Sequence, residues 1–217
     1  MKTERMDCMG QRYLGCGMAD AALELHGTPG NALGAYLDGG RIEVFGNAQD
    51  ATGDTMNGGT IVIHGSCGDA AGYAMRGGSI FVRGDVGYRA GVHMKAYADK
   101  SPTLVVGGTA GCFLGEYQAG GSILVLNLDD RTQPVGDFAA VGMYGGSILL
   151  RAAQAPAGLP AQVTARPADS WALSRARAPL EAFCACFGLD AKPILACDFI
   201  EITPDTSNPY KQMYVSV

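Results

Sequence analysis

Short alternating runs of apolar residues recur along the first two-thirds of the chain. In each run two apolar residues are separated by one other residue, a pattern typical of a strand with one buried face. This part shows no helical period of about 3.6 residues, and no two-residue hairpin turn joins consecutive runs. Equivalent strands are therefore predicted to lie side by side in a parallel sheet. The pairs are Ile42 and Val44, Ile61 and Ile63, Ile80 and Val82, Leu104 and Val106, Ile123 and Val125, and Ile148 and Leu150.

The runs repeat at a nearly constant spacing. Gly53, Gly72 and Gly91 lie 19 residues apart. A fixed period of this length indicates a solenoid, in which each unit is one coil. The sequence divides into six such units, at 34–50, 53–69, 72–88, 91–111, 115–127 and 142–152.

Glycine makes frequent turning possible. It accounts for 32 of the 217 residues, and nearly all of it precedes residue 147. The corners of a coil need a positive φ, which glycine adopts without a steric penalty. The predicted structural corner glycines are Gly34, Gly39, Gly40, Gly53, Gly58, Gly59, Gly72, Gly77, Gly78, Gly91, Gly115, Gly120, Gly121, Gly145 and Gly146.

These features predict an all-β fold, a single-stranded parallel β-helix of six to seven coils of about 19 residues. It is expected to cover roughly residues 10–152 within a first domain, 1–152. The second domain, 153–217, is predicted to hold a linker, a helix and an extended tail. One inward ladder is expected to consist of Leu37, Met56, Met75 and Met94.

The chain changes character after residue 152. An Ala/Pro-rich linker precedes a helix over 170–188, with Ser170 as N-cap, a break or kink at Pro179 and a stop at Gly188. The face formed by Leu173, Leu180, Phe183 and Phe187 is expected to pack on the end or the side of the β-helix. A strand-like stretch from Lys192 follows. The tail with Tyr210, Met213 and Tyr214 is expected to dock on the protein or on a partner.

Two long connections interrupt the repeat. They lie at 95–102 and 128–138. Insertions in solenoids often form the binding face. These loops are therefore candidate contact surfaces, with tolerated surface loops as the alternative.

Candidate chemistry is sparse in this sequence. The histidines His26, His64 and His93 show no metal-ligand spacing, and His64 is expected on the surface. Asp50 and Asp69 occupy equivalent places in successive coils. They are predicted to bond the amides of their own turns, with a cation or paired-acid site as the alternative.

Other short motifs give no better site. The glycines of 107–111 lack a phosphate-binding context, and Cys184 and Cys186 point apart on a helix. A basic patch of Arg83, Arg89, His93 and Lys95 is expected to be a solvated face or an interface. No catalytic, cofactor-binding or metal-binding residue is predicted in this chain.

Composition narrows the functional classes. Apolar residues make up 47% and charged residues 17%, with a net charge of −5, which disfavours disorder and nucleic-acid binding. No apolar run is long enough for a membrane helix. The seven cysteines form no CxxC pair and follow no signal peptide, so a cytoplasmic location is expected.

The repeat resembles a known family. The stretch GNAQDATGDTMNGGTIVIHGSCGDAAGYAMRGGSIFVRGDVGYRAGVHM (46–94) is similar to the GXGXG domain, a right-handed β-helix at the C-terminus of the glutamate synthase alpha subunit. It is more similar to stand-alone versions of that domain in archaea and anaerobic bacteria. The resemblance continues through GQRYLG, HGTPGNALGAYLDGG, FLGEYQAGG, VGMYGG and the tail NPYKQMY.

The resemblance implies a right-handed solenoid without activity of its own. In that family the domain lies between a glutaminase domain and an FMN and iron–sulfur synthase domain. Here Lys2 stands where a glutaminase of that type needs a cysteine, and no TIM-barrel pattern is present. A glutaminase-type amidotransferase chain and an FMN-containing glutamate synthase chain are therefore the expected partners, and homo-oligomers are also possible.

One alternative stays open and a second is disfavoured. The same repeat also resembles the β-helix subunit of formylmethanofuran dehydrogenase and the matching component of the formyltransferase/hydrolase complex. A hexapeptide-repeat acyltransferase is disfavoured, because that fold repeats every six residues.

Overall fold

The structure is a computed structural model that describes residues 3–205. Eight strands stack in parallel in chain order, each belonging to one coil. Two further strands and two helices follow. The elements are β1 Thr3–Met9, β2 Ala22–Thr28, β3 Asp38–Phe45, β4 Gly58–Ile63, β5 Ser79–Val82, β6 Thr103–Val106, β7 Ala119–Val125, β8 Gly145–Arg151, β9 Val163–Pro167, α1 Ser170–Phe187, α2 Ala191–Leu195 and β10 Phe199–Pro204.

The predicted parallel β-solenoid is confirmed. Its six predicted strands are β3 to β8, and their register places equivalent residues of successive units side by side, as in Ile42, Ile61 and Ile80. The sheet starts at Thr3, however, so the expected start near residue 10 is wrong. Strand β1 was not predicted because its sequence, TERMDCM, is mostly charged or polar.

The core runs along the axis of the solenoid. The alternating apolar residues of β3 to β8 are fully buried, and so is the predicted ladder of Leu37, Met56, Met75 and Met94. A second side of the coil carries a ladder of single backbone β-bridges, and the residues that form it have buried side chains. Its members are Ala48, Cys67, Val86, Ala110 and Val135.

The third side is a turn in which alternate residues adopt a left-handed backbone. In one coil Ala51, Gly53 and Thr55 have φ of 57°, 70° and 53°. The amides of Ala51 and Thr55 donate to carbonyls of the next coil, and that of Gly53 donates to Leu33 of the preceding coil. The turn is thereby bonded to both neighbours.

The glycine pairs before the strands have two distinct roles. Only the second glycine of each pair has a positive φ, as Gly40 does at 72°. A Cβ on the first would strike the preceding coil, since at Gly39 it would lie 2.2 Å from the carbonyl oxygen of Ala19. The prediction that both serve positive φ is therefore wrong for the first members, which permit close approach of backbones. Those residues are Gly39, Gly58, Gly77, Gly120 and Gly145.

The C-terminal segment differs from the prediction in three details. Asp169, and not Ser170, is the N-cap of α1, because its Oδ1 accepts from the amide of Ala172 at 2.8 Å. The helix continues through Pro179 and ends at Gly188, whose φ is 65°. The stretch expected to be strand-like begins instead with helix α2, capped by Asp190.

Helix α1 lies along the side of the solenoid. Its buried residues Leu180 and Phe183 form a second core cluster with outward-facing strand residues. This cluster covers Val62, Phe81, Val105, Leu124 and Leu149. Of the two positions expected for the helix, the side is therefore the correct one.

The solenoid is closed at its C-terminal end by two antiparallel strands. β10 pairs with β8, and β9, which lies inside the predicted linker, pairs with β10. Glu201 of β10 is 1% exposed and accepts from Arg166 of β9 and Arg175 of α1. Residue 152 thus divides the parallel from the antiparallel part of one sheet, and the two-domain division stays a prediction.

Candidate functional site

The turn side of the solenoid carries two columns of aromatic rings. In one, His93 lies between Tyr73 and Tyr117, with ring centroids 5.9 and 5.1 Å apart. His93 and Tyr117 are equivalent residues of successive coils, which lie about 4.8 Å apart, and their rings stack, whereas Tyr73 is one position out of register and meets His93 edge-on. In the second column Phe113 lies between Tyr88 and Phe138, at 5.3 and 4.9 Å. We call these six residues the aromatic surface.

One cation is fixed within the aromatic surface. The guanidinium of Arg89 lies 4.9 Å from the ring centre of Tyr88 and 5.3 Å from that of Phe113. It also pairs at 2.8 Å with Glu116, whose side chain is only 9% exposed. Arg89 therefore contributes a held positive charge to a surface on which Tyr73, Tyr88 and Phe138 are exposed.

The basic residues predicted as one patch occupy different elements. Arg89 and His93 lie on the turn, whereas Arg83 directly follows β5 and Lys95 begins the inserted loop. His93 stacks on an aromatic ring.

The two insertions flank the aromatic surface in sequence. Loop 95–102 follows His93 within two residues, and its Tyr97 and Lys100 pair their backbones. Lys100 Nζ reaches Asp38 Oδ1 at 3.1 Å. Loop 128–138 ends at Phe138 and is anchored by the side chain of Asn127, which bonds both backbone groups of Arg131.

An open groove of about 820 Å³ lies between this second loop, residues 151–157 and residues 197–198. Arg151 lines it, but its guanidinium is occupied by the carbonyl oxygens of Leu126 and Asn127 and by Asp130 at 2.7 Å. The guanidinium of Arg151 thus ties loop 128–138 to β8.

Asp50 and Asp69 form a ladder between coils. Asp50 Oδ1 accepts from the amide of Asp69 at 2.9 Å, and Asp69 Oδ1 accepts from that of Tyr88 at 2.8 Å. The prediction that each bonds its own turn is therefore wrong, because the donor lies one coil later. Gly68 and Gly87 make room, since a Cβ on either would lie 2.2 Å from the carboxylate oxygen.

A second side-chain ladder runs beside the first. Asn47 accepts from the amide of Ser66, and Ser66 accepts from that of Asp85, at 2.9 and 3.1 Å. Asp85 Oδ1 then accepts from the amide and hydroxyl of Thr109, at 2.8 and 3.0 Å, and its Oδ2 pairs with Arg131 at 3.1 Å. Partial burial raises the pKa of Asp85, but these contacts outweigh it and hold that pKa below 3.8.

The chain matches the family described as GXGXG motif over residues 3–165. It belongs to the GXGXG-motif family. The match covers β1 to β8 and part of β9. It confirms, at the level of the family, the resemblance to the C-terminal domain of glutamate synthase.

A relative extends this similarity through the C-terminal segment. The chain is 42% identical over 215 residues to an uncharacterized protein, MJ1350, of Methanocaldococcus jannaschii. The alignment covers 95% of this chain and 82% of that protein. Helix α1 and β10, which lie beyond the family match, therefore fall within a stretch shared with this relative.

The GXGXG motif has the spacing of the left-handed turn. Gly15 and Gly17 follow Tyr13 at alternate positions, and all three have positive φ. In later turns of this GXGXG domain only one of the three positions is glycine, as in Ala51-Thr52-Gly53-Asp54-Thr55.

The remaining histidines of the GXGXG domain lie on the outer face of its first strands. His64 Nε2 contacts Glu43 Oε1 at 2.9 Å, and His26 contacts Glu24 at 3.0 Å. Phe45 stacks between the two rings, at 4.5 and 5.0 Å. His64 is 31% exposed, and the ring of Phe187 on α1 lies edge-on to it at 5.2 Å, so the predicted surface position is confirmed only in part. Within residues 3–205, no three His, Cys, Asp or Glu side chains are grouped as a metal site requires.

The cysteine thiols and the glycines of 107–111 make packing and polar contacts within the fold. Burial raises the pKa of Cys184 on α1, and that of Cys67 to about 11. Cys186 lies 3.8 Å from Arg41. A Cβ on Gly107 would lie 2.2 Å from the carbonyl oxygen of Arg83, so this glycine permits coil stacking. That the GXGXG domain has no catalytic or cofactor-binding residue stays a prediction.

No helix in the described part, residues 3–205, combines the length and apolar character needed to cross a membrane.

Proposed function

We propose that this GXGXG-family chain is a non-catalytic assembly subunit of a glutamate synthase-like oxidoreductase complex. It holds a glutaminase-type amidotransferase chain and an FMN-containing glutamate synthase chain in register during glutamate synthesis in the cytoplasm. FMN and iron–sulfur clusters belong to those partners. The family match over residues 3–165 is the observation that carries the proposal.

The bonding within the coils supports a role as a scaffold. The polar side chains of the corners, such as Asp50, Asp69 and Asp85, bond the coil that follows. Both backbones and side chains thus tie each coil to the next. A rigid surface loses little conformational freedom when a partner binds, which favours association.

The aromatic surface is the contact that we assign to a partner chain. Exposed aromatic rings with a fixed arginine have the composition of protein interfaces. Loops 95–102 and 128–138, which flank this surface in sequence, are assigned to the same contact. The tail residues Tyr210, Met213 and Tyr214, also expected to contact partners, lie outside the described residues.

Co-purification from the native host tests the proposal. The tagged chain should be recovered with a glutaminase-like chain and an FMN-containing chain. Purified alone, it should bind no FMN and release no ammonia from glutamine. Recovery alone, with bound flavin or with glutaminase activity, would contradict the proposal. Recovery with a molybdenum or tungsten dehydrogenase would favour the formylmethanofuran dehydrogenase alternative instead.

A pair of variants tests the assigned surface. Phe138→Ser removes an aromatic ring that is 54% exposed on the aromatic surface, and should reduce partner recovery at least about tenfold. Trp171→Ser removes a ring that is 69% exposed on α1 and should leave recovery unchanged. Equal recovery for both variants and the unmodified chain would exclude the aromatic surface as the contact.

A further inference from the structure

The N-terminal end of the solenoid presents an unpaired strand edge. Among residues 3–205, β1 pairs with β2 alone, and it begins the sheet order. Every residue of β1 except Cys8 is exposed, and Met9 is 90% exposed. An exposed edge of seven residues can pair its free backbone groups with another strand.

Within residues 3–205, no element covers the apolar core at this end. Met6 stands in register with Leu25, and through it with Val44, both fully buried. Met6 itself is 38% exposed. At the opposite end β10 and β9 close the sheet. The N-terminal end therefore differs from the C-terminal end in lacking a described element over its last coil.

The sequence of β1 is self-complementary in charge when two copies run antiparallel. With Met6 opposite Met6, Arg5 stands opposite Asp7 and Asp7 opposite Arg5. Opposite charges at directly facing positions stabilise a strand pair, and like charges destabilise it. Pairing centred instead on Glu4, on Arg5 or on Asp7 would place that central residue opposite its own copy, so that two like charges would face each other.

We propose that β1 binds β1 of a second copy of this chain, antiparallel and centred on Met6. The pairing is isologous and therefore closes at two copies. It joins the two solenoids into one continuous sheet and covers the apolar end of both cores. This inference is independent of the proposed function, because it concerns only the chain's association with itself.

Charge reversal tests the pairing. Arg5→Asp places carboxylates opposite Asp7, and Asp7→Arg places guanidinium groups opposite Arg5. Each variant alone should weaken the dimer at least about tenfold, measured by sedimentation over a concentration series. The double variant Arg5→Asp/Asp7→Arg restores opposite charges and should dimerise. An equal mixture of the two single variants should form a heterodimer.

Two controls separate pairing from damage to the fold. Glu24→Gln removes the partner that Arg5 contacts at 3.0 Å within the same chain, and should leave the dimer intact. Arg177→Asp makes the same charge change as Arg5→Asp on α1, at a side chain that is 62% exposed, and should also dimerise. Variants that still dimerise should retain the thermal transition of the unmodified chain, and the single reversals should still unfold cooperatively, at the temperature of the unmodified chain diluted to its monomer.

Several results would overturn the inference. Sedimentation of the unmodified chain as a monomer at every concentration would show that the charges of β1 keep this edge unpaired. A dimer that both single reversals leave intact would place the interface elsewhere. Loss of the dimer without recovery in the double variant and in the mixture would exclude the Met6-centred register.

Discussion

Three alternate residues of each turn adopt a left-handed backbone, although most of them carry side chains. A non-glycine residue in this region costs about 1–3 kcal/mol. The bonds that its amide makes to a neighbouring coil, such as Ala51 to Asp69 at 2.7 Å, offset that cost. In five turns the middle position is glycine for an additional reason, because an isoleucine of the next coil fills the space of its missing Cβ, as Ile80 does at Gly53.

Two glycines with the same backbone conformation distinguish the cost of the left-handed backbone from the steric effect of an added Cβ. Gly53 and Gly72 have φ of 70° and 71°. A Cβ on Gly53 would lie 2.4 Å from Ile80 Cδ1, whereas the nearest atom to a Cβ on Gly72 would be at 3.8 Å. Gly72→Ala should therefore lower the free energy of unfolding by about 1 kcal/mol, and Gly53→Ala by about 1–3 kcal/mol more. Denaturant unfolding measures both, and equal losses would show that backbone strain alone selects glycine.

The charge of Asp85 should make stability depend on pH. Its pKa is lowered in the folded state, so its contribution is present above 3.8 and is lost as pH falls through the folded-state pKa. Asp85→Asn keeps an acceptor for Thr109 but loses the attraction to Arg131, and should lower the free energy of unfolding by about 1 kcal/mol at neutral pH. Urea unfolding from neutral pH to about pH 3 should show this difference shrinking.

Asp69→Asn is the matched control for that experiment. Asp69 accepts from the amide of Tyr88 but has no arginine partner in the described part of the chain. Its substitution should have a smaller effect at neutral pH. A difference for Asp85→Asn that persists at low pH would show that the ion pair with Arg131 is not its source.

The strands and helices depend on two cores on opposite faces of one sheet. The inner core lies within the coils, and the outer one lies under α1. Successive residues of a strand point alternately into the inner and the outer core. In β5, Phe81 faces α1 while Ile80 and Val82 face inward. The buried runs in β4 to β8 are consequently continuous rather than alternating.

Truncation within the inner methionine ladder should weaken the fold. Met75 is fully buried between coils. Met75→Ala should lower the free energy of unfolding by about 2–4 kcal/mol, because it leaves a cavity that the stacked coils cannot close. Thermal and denaturant unfolding measure the loss. A shift in melting temperature below about 1 °C would show that the ladder is loosely packed.

Phe183 should control whether α1 stays attached. It is fully buried, and the centre of its ring lies 6.2 Å from that of Phe81 and 4.8 Å from that of Phe187. Phe183→Ala should destabilise the protein by about 3–5 kcal/mol and raise amide exchange across α1. Trp171→Ala, on the exposed side of the same helix, should change neither. Unchanged exchange in Phe183→Ala would mean that the contacts of Glu201 suffice to hold the helix.

A feature can be predicted from the sequence when the residues that determine it lie close together along the chain. The strands of β3 to β8 were predictable because each holds an apolar pair in its own few residues. The acceptor role of Asp50 was not, because its donor is 19 residues away and becomes visible only once coils are in register. Similarly, β9 lies in an Ala/Pro-rich stretch and is a strand only because β10 pairs with it. The aromatic surface was missed, since its columns combine residues from several coils.

At the scale of the whole molecule, order propagates from neighbour to neighbour. Neighbouring coils are bonded through strand and turn, five of them also through β-bridges, and α1 spans the outer face from β4 to β8. Stability of such a stack is approximately a sum of coil and interface contributions. The helix adds a restraint across several coils, which should make their unfolding more cooperative than that of a bare solenoid.

The constant register also makes each coil a unit of length. Deleting residues 54–72 would join Gly53 to Tyr73, an equivalent junction, and would place β3 beside β5 with Ile42 facing Ile80. The shortened protein should fold and lose about 4.8 Å along its axis, which small-angle scattering can measure. Deleting 55–72 instead removes 18 residues and should prevent folding, because the inward residues lose their register. The spacing of anything bound along this axis is therefore set in discrete steps by the number of repeats, as in a ruler.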